Sequence, residues 1–469
     1  MTIFESALGK WLIIIGIGLG ISLIPCPPEV KIEGWRIFAI FVATIVGFVL
    51  QPVPIGVLSL MVITVAALLN IVRVDVMLEG YGSATIWLIA CAYFLSKGFE
   101  KSGLGRRISL IFVRTIGTSS LKLGYALVCS DLFFAPGMPS ITARSGAVIF
   151  PIINGLCDIF ESKPGPTARK IGSYLMIVEV QCTCICSSMF LTAMASNPLA
   201  YALALAAGVN ISWGDWAIFS IVPGLLSLAI LPYLIYKIYP PKLISTPEAP
   251  QMAKKELEKM GPMTKHEKIQ LCVFLLCLGL WITGGITKIN ATTIALLGIV
   301  ILLLTGVLNW KDCLNNNSGW DAFVWMAPVF TMGGLLGKYG VMKWLGASIG
   351  TAIGGYSWPI TMLFVVLVYL YSGYAFASLT AHIAAFYPPM IVLLLTSGAP
   401  PIMSAVILAA FSSLSGAFTQ YSGAHAPVFF GAGFVDQRSW LKLGFINSLA
   451  LVLIWGLSGI LWWKVTGYY

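Results

Sequence analysis

Ser140-Ile141-Thr142-Ala143-Arg144 and Ser378-Leu379-Thr380-Ala381-His382 are two copies of one pattern, in which a Ser-x-Thr tripeptide is followed by alanine and a basic residue. The copies lie about half a chain length apart, and each interrupts a long hydrophobic stretch. Polar breaks at matching points of two membrane-embedded halves are the strongest sequence indication of a transporter's substrate site. The pattern therefore predicts a membrane carrier built from two related halves.

The composition of the chain predicts an all-α polytopic membrane protein. Its 469 residues are 58% hydrophobic and 10% charged, whereas soluble domains have roughly 45–50% and about 25%. A transmembrane helix needs about 20 mainly apolar residues. Eleven stretches are predicted to cross the membrane, namely 11–25, 35–50, 54–71, 84–100, 170–195, 216–239, 268–286, 290–309, 320–338, 402–421 and 440–464.

The two stretches that carry the Ser-x-Thr tripeptides, 121–156 and 358–398, are too interrupted to be single helices. They are predicted to be re-entrant hairpins. Backbone that leaves helical geometry at membrane depth is tolerated only where protein or a water-filled cavity satisfies its polar groups. The hairpin tips are therefore expected to face a cavity inside the protein.

Further paired features predict an internal duplication. Trp87 and Trp325, like Pro151 and Pro389, have the same separation as the two tripeptides. The chain then divides into an additional N-terminal helix (1–34), repeat 1 (35–239), a charged cytoplasmic linker (240–267) and repeat 2 (268–469). With five crossings and one hairpin per repeat, the repeats are inverted, so that the first hairpin opens inward and the second outward. Residues 104–118 and 341–353 are predicted to be interfacial helices beside the hairpins.

The charge distribution indicates orientation in the membrane. Most of the 28 lysines and arginines fall on the side of the linker, which predicts a cytoplasmic N-terminus and an extracellular or periplasmic C-terminus in the cytoplasmic membrane. The net charge of +10 is scattered, so no nucleic-acid groove is predicted. Cys182, Cys184 and Cys186 would fan around a helix, so neither a metal site nor a cofactor is expected.

The tripeptides predict an anion site. Where the second arm of a hairpin begins, its first N–H groups lack partners and carry the positive end of the helix dipole. Ser and Thr cap such ends and can bind a ligand. The predicted substrate contacts at the tips are Ser140, Ile141 and Thr142 in one half and Ser378, Leu379 and Thr380 in the other. Two such ends facing one space suit a substrate with two carboxylates.

Polar breaks in two other spans are predicted to complete the walls of this pocket. In the first half the candidates are Ser187, Ser188, Thr192 and Asn197, and in the second half they are Gly423, His425 and Pro427. His425 fits a structural role equally well.

Arg144 and His382 lie in the first turn of each second arm. A cation in the bilayer costs about 2.5–3.5 kcal/mol on insertion scales, so both are functional candidates. Alternatively, Arg144 caps carbonyl groups or pairs with Asp131 or Glu179, and His382 bonds to neighbouring helices. Glu179 could respond to protons, but a single acid without a visible relay does not predict a proton pump.

Around residues 139–146, 189–194, 378–382 and 427–433 the chain resembles the divalent anion:sodium symporter family. Within it, the chain is similar to the branch of citrate/succinate, tartrate/succinate and plastid 2-oxoglutarate/malate exchangers. The resemblance implies a homodimer of scaffold domains, each with an elevator-type transport domain formed by the hairpins and broken helices. The family's hallmark is Ser-Asn-Thr at both tips, where symporters also hold two sodium ions. Here Ile141 and Leu379 replace the asparagines.

This departure suggests that Arg144 and protonated His382 supply the charge that sodium supplies in symporters. A fixed cation cannot dissociate, so the carrier would move mainly when loaded with an anion. The hypothesis is a sodium-independent exchange of dicarboxylates. The alternatives are sodium-coupled uptake, a channel and an intramembrane enzyme. The chain has no His-Glu-x-x-His, and its Gly-Ala-Ser-Ile-Gly at 346–350 lies in a predicted interfacial helix, where a nucleophile elbow does not form.

Overall fold

The computed structural model describes residues 6–352 and 356–469, with the side chains of 349–352 excepted, and in these residues it is helical without a named strand. In the first half the helices are α1 Ala7–Leu23, α2 Ile32–Leu50, α3 Ile55–Leu68, α4 Val74–Leu78, α5 Ala84–Ser102, α6 Leu104–Ile116, α7 Ser120–Phe134, α8 Phe150–Ile159, α9 Gly172–Met189, α10 Asn197–Ala206 and α11 Trp213–Ile238. The linker and the second half contain α12 Glu248–Met260, α13 Lys265–Ile282, α14 Gly284–Thr287, α15 Ala291–Leu304, α16 Trp310–Leu314, α17 Asn317–Lys338, α18 Val341–Ala352, α19 Trp358–Ser372, α20 Leu379–Thr396, α21 Pro401–Ser415, α22 Ala426–Gly431 and α23 Gln437–Val465. Residues 1–5 of the predicted N-terminal helix and residue 353 of the second interfacial helix lie outside the described residues.

Each of the eleven apolar stretches overlaps a helix, but the helices differ in length. Within the described part of the chain, five helices are both long and apolar enough to cross a membrane: α2, α11, α19 with its following turn, α20 and α23. The segment from Val74 to Gly82 and α5 would form a sixth, bent by 48°. With 14 residues each, α3 and α15 are only about 21 Å long. The predicted number of crossings therefore stays a prediction.

The same order of elements occurs in both halves. In the first half, α5 and α6 precede an interrupted pair of arms (α7 and α8), a broken helix (α9 and α10) and the long α11. In the second half, α17 and α18 precede α19 and α20, the broken pair α21 and α22, and the long α23. This is the series that a duplication predicts. The duplication itself and the opposite orientation of the halves in a membrane both stay predictions.

Local sequence signals fix where several helices begin. Ser212 at α11, Thr264 at α13 and Asn309 at α16 each form a capping box with the acidic residue three positions on. Such a pair satisfies two N–H groups that the helix itself cannot satisfy. The capping box at Thr264 places the start of α13 inside the predicted linker.

The linker helix α12 packs against α6, the helix that leads into the first pair of arms. Arg107 on α6 is buried and donates to both carboxylate oxygens of Glu267, at 2.6 and 3.2 Å. Its Nη1 also donates to the carbonyl oxygen of Gly261 at 2.9 Å. A single guanidinium thus joins α6 to the end of α12 and the start of α13.

Large apolar side chains are exposed on the outer helices. Along α23, Leu453, Leu457 and Leu461 are 62%, 69% and 70% exposed. A contiguous exposed apolar face is unfavourable in water. It suits a protein whose outer surface meets hydrocarbon.

Candidate functional site

The first pair of arms contains the first Ser-x-Thr tripeptide at its turn. After α7, a 3-10 turn (Ala135–Gly137) leads to extended residues, and the second arm begins at Ile141. The Oγ of Ser140 accepts a hydrogen bond from the N–H of Ala143 at 3.2 Å. The second arm continues as a π-helix, Thr142–Ile149, before α8. Ser140 therefore caps the second arm, as the sequence predicts.

The second pair of arms repeats this arrangement. After α19, a 3-10 turn (Gly373–Ala375) and extended residues lead into α20. The Oγ of Ser378 accepts from the N–H of Ala381 at 3.3 Å. The N–H of His382 donates to the carbonyl oxygen of Ser378 at 3.0 Å, as that of Arg144 does to Ser140 at 2.9 Å. Equivalent residues thus make equivalent contacts at both tips.

Both tips line one cavity of about 340 Å³. This volume lies near the lower end of the range for ligand pockets, roughly 300–1,000 Å³, so it suits a small metabolite. The cavity brings together Ser140, Ile141, Thr142, Ser378, Leu379, Thr380, Gly423 and His425 from the predicted site residues. Two capped helix N-termini, with their positive dipole ends, therefore border the same small space.

Sequence reasoning missed other residues that line this cavity, namely Tyr93, Pro139, Met194, Ala195, Ser196, Ala377 and Ala424. Ser196 directly precedes Asn197, a residue of the predicted polar break. Its place beside that residue is the sequence feature that could have identified it. Tyr93 lies on α5, in a span without a polar break, and nothing in the local sequence marks it.

Among the buried side-chain atoms of the cavity-lining residues, two have no hydrogen-bond partner within the described residues: the Oγ of Ser196 and the Nδ1 of His425. Ser196 is 2% exposed and His425 is 1% exposed. The other ring nitrogen of His425, Nε2, lies 3.4 Å from the Sγ of Cys184. Buried polar atoms are nearly always satisfied by protein, water or a ligand. Both atoms are therefore buried and unpaired in residues that border the cavity.

The predicted residues of the first broken helix lie behind the cavity wall instead. Asn197 donates through Nδ2 to the carbonyl oxygens of Ser187 and Phe190, at 2.8 and 3.0 Å. Thr192 donates to the carbonyl oxygen of Pro136 at 2.6 Å, next to the first tip. Breaking a helix leaves such carbonyls without partners. Asn197 and Thr192 therefore stabilise the break.

Ser188 and Pro427 also lie outside the cavity lining. The Oγ of Ser188 donates to the carbonyl oxygen of Ile185 at 2.7 Å. Pro427 is in the first turn of α22, where its missing N–H has no cost. Both residues shape the ends of the breaks, one in each half.

Arg144 is fully buried and does not line the cavity. Its Nε donates to Asp131 Oδ1 at 2.7 Å, and its Nη1 donates to the carbonyl oxygens of Met138 and Ala193 at 2.7 and 2.9 Å. Its Nη2 donates to Ser187 Oγ at 2.7 Å. Arg144 thus pairs with Asp131 and caps carbonyl groups, as the alternative to a charge-compensating role predicted. These contacts hold the first tip against both sides of the broken helix. A compensating charge at Arg144 stays a prediction, and it would act from behind the wall.

His382 is also buried behind the second tip. Its Nδ1 lies 3.0 Å from Ser412 Oγ, and its Nε2 lies 2.8 Å from Ser372 Oγ and 3.0 Å from the carbonyl oxygen of Tyr369. Both ring nitrogens thus form hydrogen bonds to neighbouring helices, as predicted by the alternative in which His382 has a structural role. The predicted compensating role stays a prediction here too.

Comparisons with known proteins agree over nearly the whole chain. The sequence profile of the sodium:sulfate symporter transmembrane region matches residues 5–469. Dicarboxylate transporter 1, a chloroplast protein of Spinacia oleracea, is 42% identical over 454 residues, which cover 96% of this chain and 80% of that protein. The L-tartrate/succinate antiporter of Escherichia coli O6:K15:H31 (strain 536 / UPEC) is 34% identical over 466 residues, covering 95% and 96%. The solved YdaH transporter of Alcanivorax borkumensis has a TM-score of 0.56 at 14% identity, with 98% of both chains covered, which bears on the fold alone.

Proposed function

The chain belongs to the sodium:sulfate symporter family, the divalent anion:sodium symporters, and from this premise we propose that it exchanges dicarboxylates across the cytoplasmic membrane. It is a multi-pass membrane protein, and its family and named relatives are transporters, not enzymes. The proposed substrates are of the 2-oxoglutarate, malate, succinate and fumarate type. Relatives named as a dicarboxylate transporter and a tartrate/succinate antiporter support this class and the exchange mode.

One observation carries the proposal: both Ser-x-Thr tips line the same small cavity. Each tip presents a serine-capped helix N-terminus, which attracts a carboxylate. We propose that the substrate contacts the hydroxyl groups of Ser140, Thr142, Ser378 and Thr380. Ser196 and His425 line the same cavity. Ile141 and Leu379 cannot offer the amide groups that asparagine has in the symporters.

We propose that sodium is not required. In this account Arg144, and His382 when it is protonated, contribute positive charge from behind the two tips, and the charge of Arg144 is partly offset by its partner Asp131. The hairpins and broken helices would move as an elevator-type transport domain against a dimeric scaffold. Support for this motion comes from the repeated order of elements and from the tips that meet between the two halves.

Counterflow in proteoliposomes tests the proposal. Vesicles loaded with unlabelled C4 to C6 di- and tricarboxylates would be given labelled succinate outside, with and without sodium. The expected result is rapid labelled uptake into vesicles loaded with C4 and C5 dicarboxylates, little uptake into empty vesicles, and no effect of sodium. Sodium-driven accumulation in empty vesicles would favour the symport alternative instead. Single-channel currents would favour a channel.

A further inference from the structure

Glu179 lies in the middle of α9, and nothing in the dicarboxylate proposal uses it. Its side chain is fully buried, and neither carboxylate oxygen has a hydrogen-bond partner among the described residues. An ionised carboxylate in such a place costs far more than a neutral one, because no donor replaces its lost hydration. The surroundings of Glu179 therefore suit the protonated form.

The charged groups that act on Glu179 are Asp131 from α7 and Arg144 from the π-helix. Cys182 is its ionisable neighbour on α9 itself. The guanidinium of Arg144 is already bonded to Asp131 Oδ1, and Asp131 Oδ2 also lacks a partner. Two buried acids thus face one buried cation. The single positive charge can balance only one of them.

The other elements packed against α9 bring no further charge to Glu179. Neither α21 nor α22 contains an ionisable side chain. The remaining ionisable groups on α9 and on the elements packed against it are Tyr174, Cys184 and Cys186 on α9, Lys122, Tyr125 and Cys129 on α7, Asp215, Tyr233, Tyr236 and Lys237 on α11, Arg438, Lys442 and Lys464 on α23, Cys157 and Asp158 on α8, and Arg169 and Lys170 in the turn before α9. His425 faces Cys184, one turn further along α9.

The acids are connected to the cavity through Arg144. Its guanidinium binds Asp131 on one side, and on the other it donates to the carbonyl oxygens of Met138 and Ala193. Met138 directly precedes cavity-lining residues of the first tip, and Ala193 directly precedes those of the broken helix. A change of charge at Glu179 would therefore act on the group that positions two walls of the cavity.

We propose that Glu179 is a proton-binding site behind the cavity, and that a dicarboxylate dianion binds only while Glu179 holds its proton. This inference rests on the proposed function, because the dianion is the linked ligand. When Glu179 loses its proton, a second negative charge joins Asp131 and repels the dianion. Binding of the dianion under alkaline conditions then takes up one proton from solution.

Calorimetric titration of the purified full chain with succinate tests the linkage. Titrations in two buffers of different protonation enthalpy, extended upward to the highest pH at which the protein stays folded, count the protons taken up. For the wild type, the expected uptake rises towards one proton per protomer, and above the ionisation of Glu179 the affinity falls about tenfold per pH unit. Glu179→Gln, which is always neutral, should bind succinate with the same affinity throughout and take up no proton.

The control is Glu258→Gln, which neutralises an exposed acid on α12 and should behave like the wild type. If Glu179→Gln fails to fold, Glu179→Leu carries the same expectation. Succinate binding by the wild type without pH dependence or proton uptake would overturn this inference and leave dicarboxylate binding intact. Absence of succinate binding in every variant at every pH would overturn the proposed function as well.

Discussion

Replacing Ser378 with alanine removes both a helix cap and a proposed substrate contact at the second tip. The two losses can be measured separately, one as stability and the other as affinity. The Oγ of Ser378 accepts the N–H of Ala381 at 3.3 Å, so its hydroxyl hydrogen remains free to donate to a carboxylate in the cavity. Loss of an N-cap costs about 1 kcal/mol of stability. Loss of a hydrogen bond to a charged group costs about 1.5–3 kcal/mol of binding, which is about 10- to 150-fold in the dissociation constant.

The matched control for this change is Ser119→Ala. Ser119 caps α7, at the far end of the first pair of arms, where its Oγ accepts the N–H of Lys122 at 3.4 Å and does not line the cavity. Ser119→Ala should lose a similar amount of thermal stability and keep its affinity for succinate. Ser140→Ala, at the first tip, should behave like Ser378→Ala because the geometry of the two tips is equivalent.

The assay combines a melting curve of the purified protein with the succinate dependence of counterflow in liposomes. Ser378→Ala and Ser140→Ala should need much higher succinate concentrations for half-maximal exchange, at unchanged protein insertion. If both lose stability as Ser119→Ala does but keep the wild-type concentration dependence, the tip hydroxyls do not touch the substrate. The reasoning from helix ends to carboxylate contacts would then be wrong.

Two further predictions concern buried cations. Arg144→Met should lower the free energy of unfolding by about 3–5 kcal/mol, because Asp131 is left buried without its partner. Adding Asp131→Leu should recover part of the melting temperature. If sodium-free exchange also recovers in this double variant, the charge of Arg144 is not needed for transport. Arg107→Met should likewise destabilise by about 3–5 kcal/mol, because it leaves the buried carboxylate of Glu267 without its cation and with only the N–H of Thr264 as a partner. The exposed Arg106→Met should lose less than about 1 kcal/mol in the same melts, and equal losses at positions 106 and 107 would contradict the role assigned to the buried pair.

The tips could be predicted from sequence because capping is a local property. A serine followed by a run of helix-forming residues caps through its own Oγ and an N–H three positions on, so four residues contain all the information. The capping boxes at Ser212 and Thr264 are of the same kind. In each case the two partners are close neighbours in the chain, so contacts with distant segments have little effect on whether the cap forms.

The direction of Arg144 could not be predicted in this way. Its position in the first turn of the second arm is compatible with a side chain in the cavity or behind it. The choice depends on Asp131 in the other arm, on Ser187 in α9 and on a carbonyl freed by the break at Ala193. These groups come together only when three separate segments have packed. The free hydroxyl of Ser196 and the place of Tyr93 depend on packing for the same reason.

Two features determine how much positive charge a dianion would meet in the cavity. One is the apolar pair Ile141 and Leu379 at the tips, and the other is the buried acids Asp131 and Glu179 behind the wall. Ile141 and Leu379 remove side-chain amides from the tips, so the remaining donors there are hydroxyl groups and backbone N–H groups. Each helix N-terminus is equivalent to roughly half a positive charge, which is less than a dianion needs. Arg144 is paired with Asp131, which offsets part of its charge. A protein that binds a dianion with so few positive groups cannot also hold an ionised acid at Glu179, and the absence of any donor to that carboxyl among the described residues agrees with this requirement.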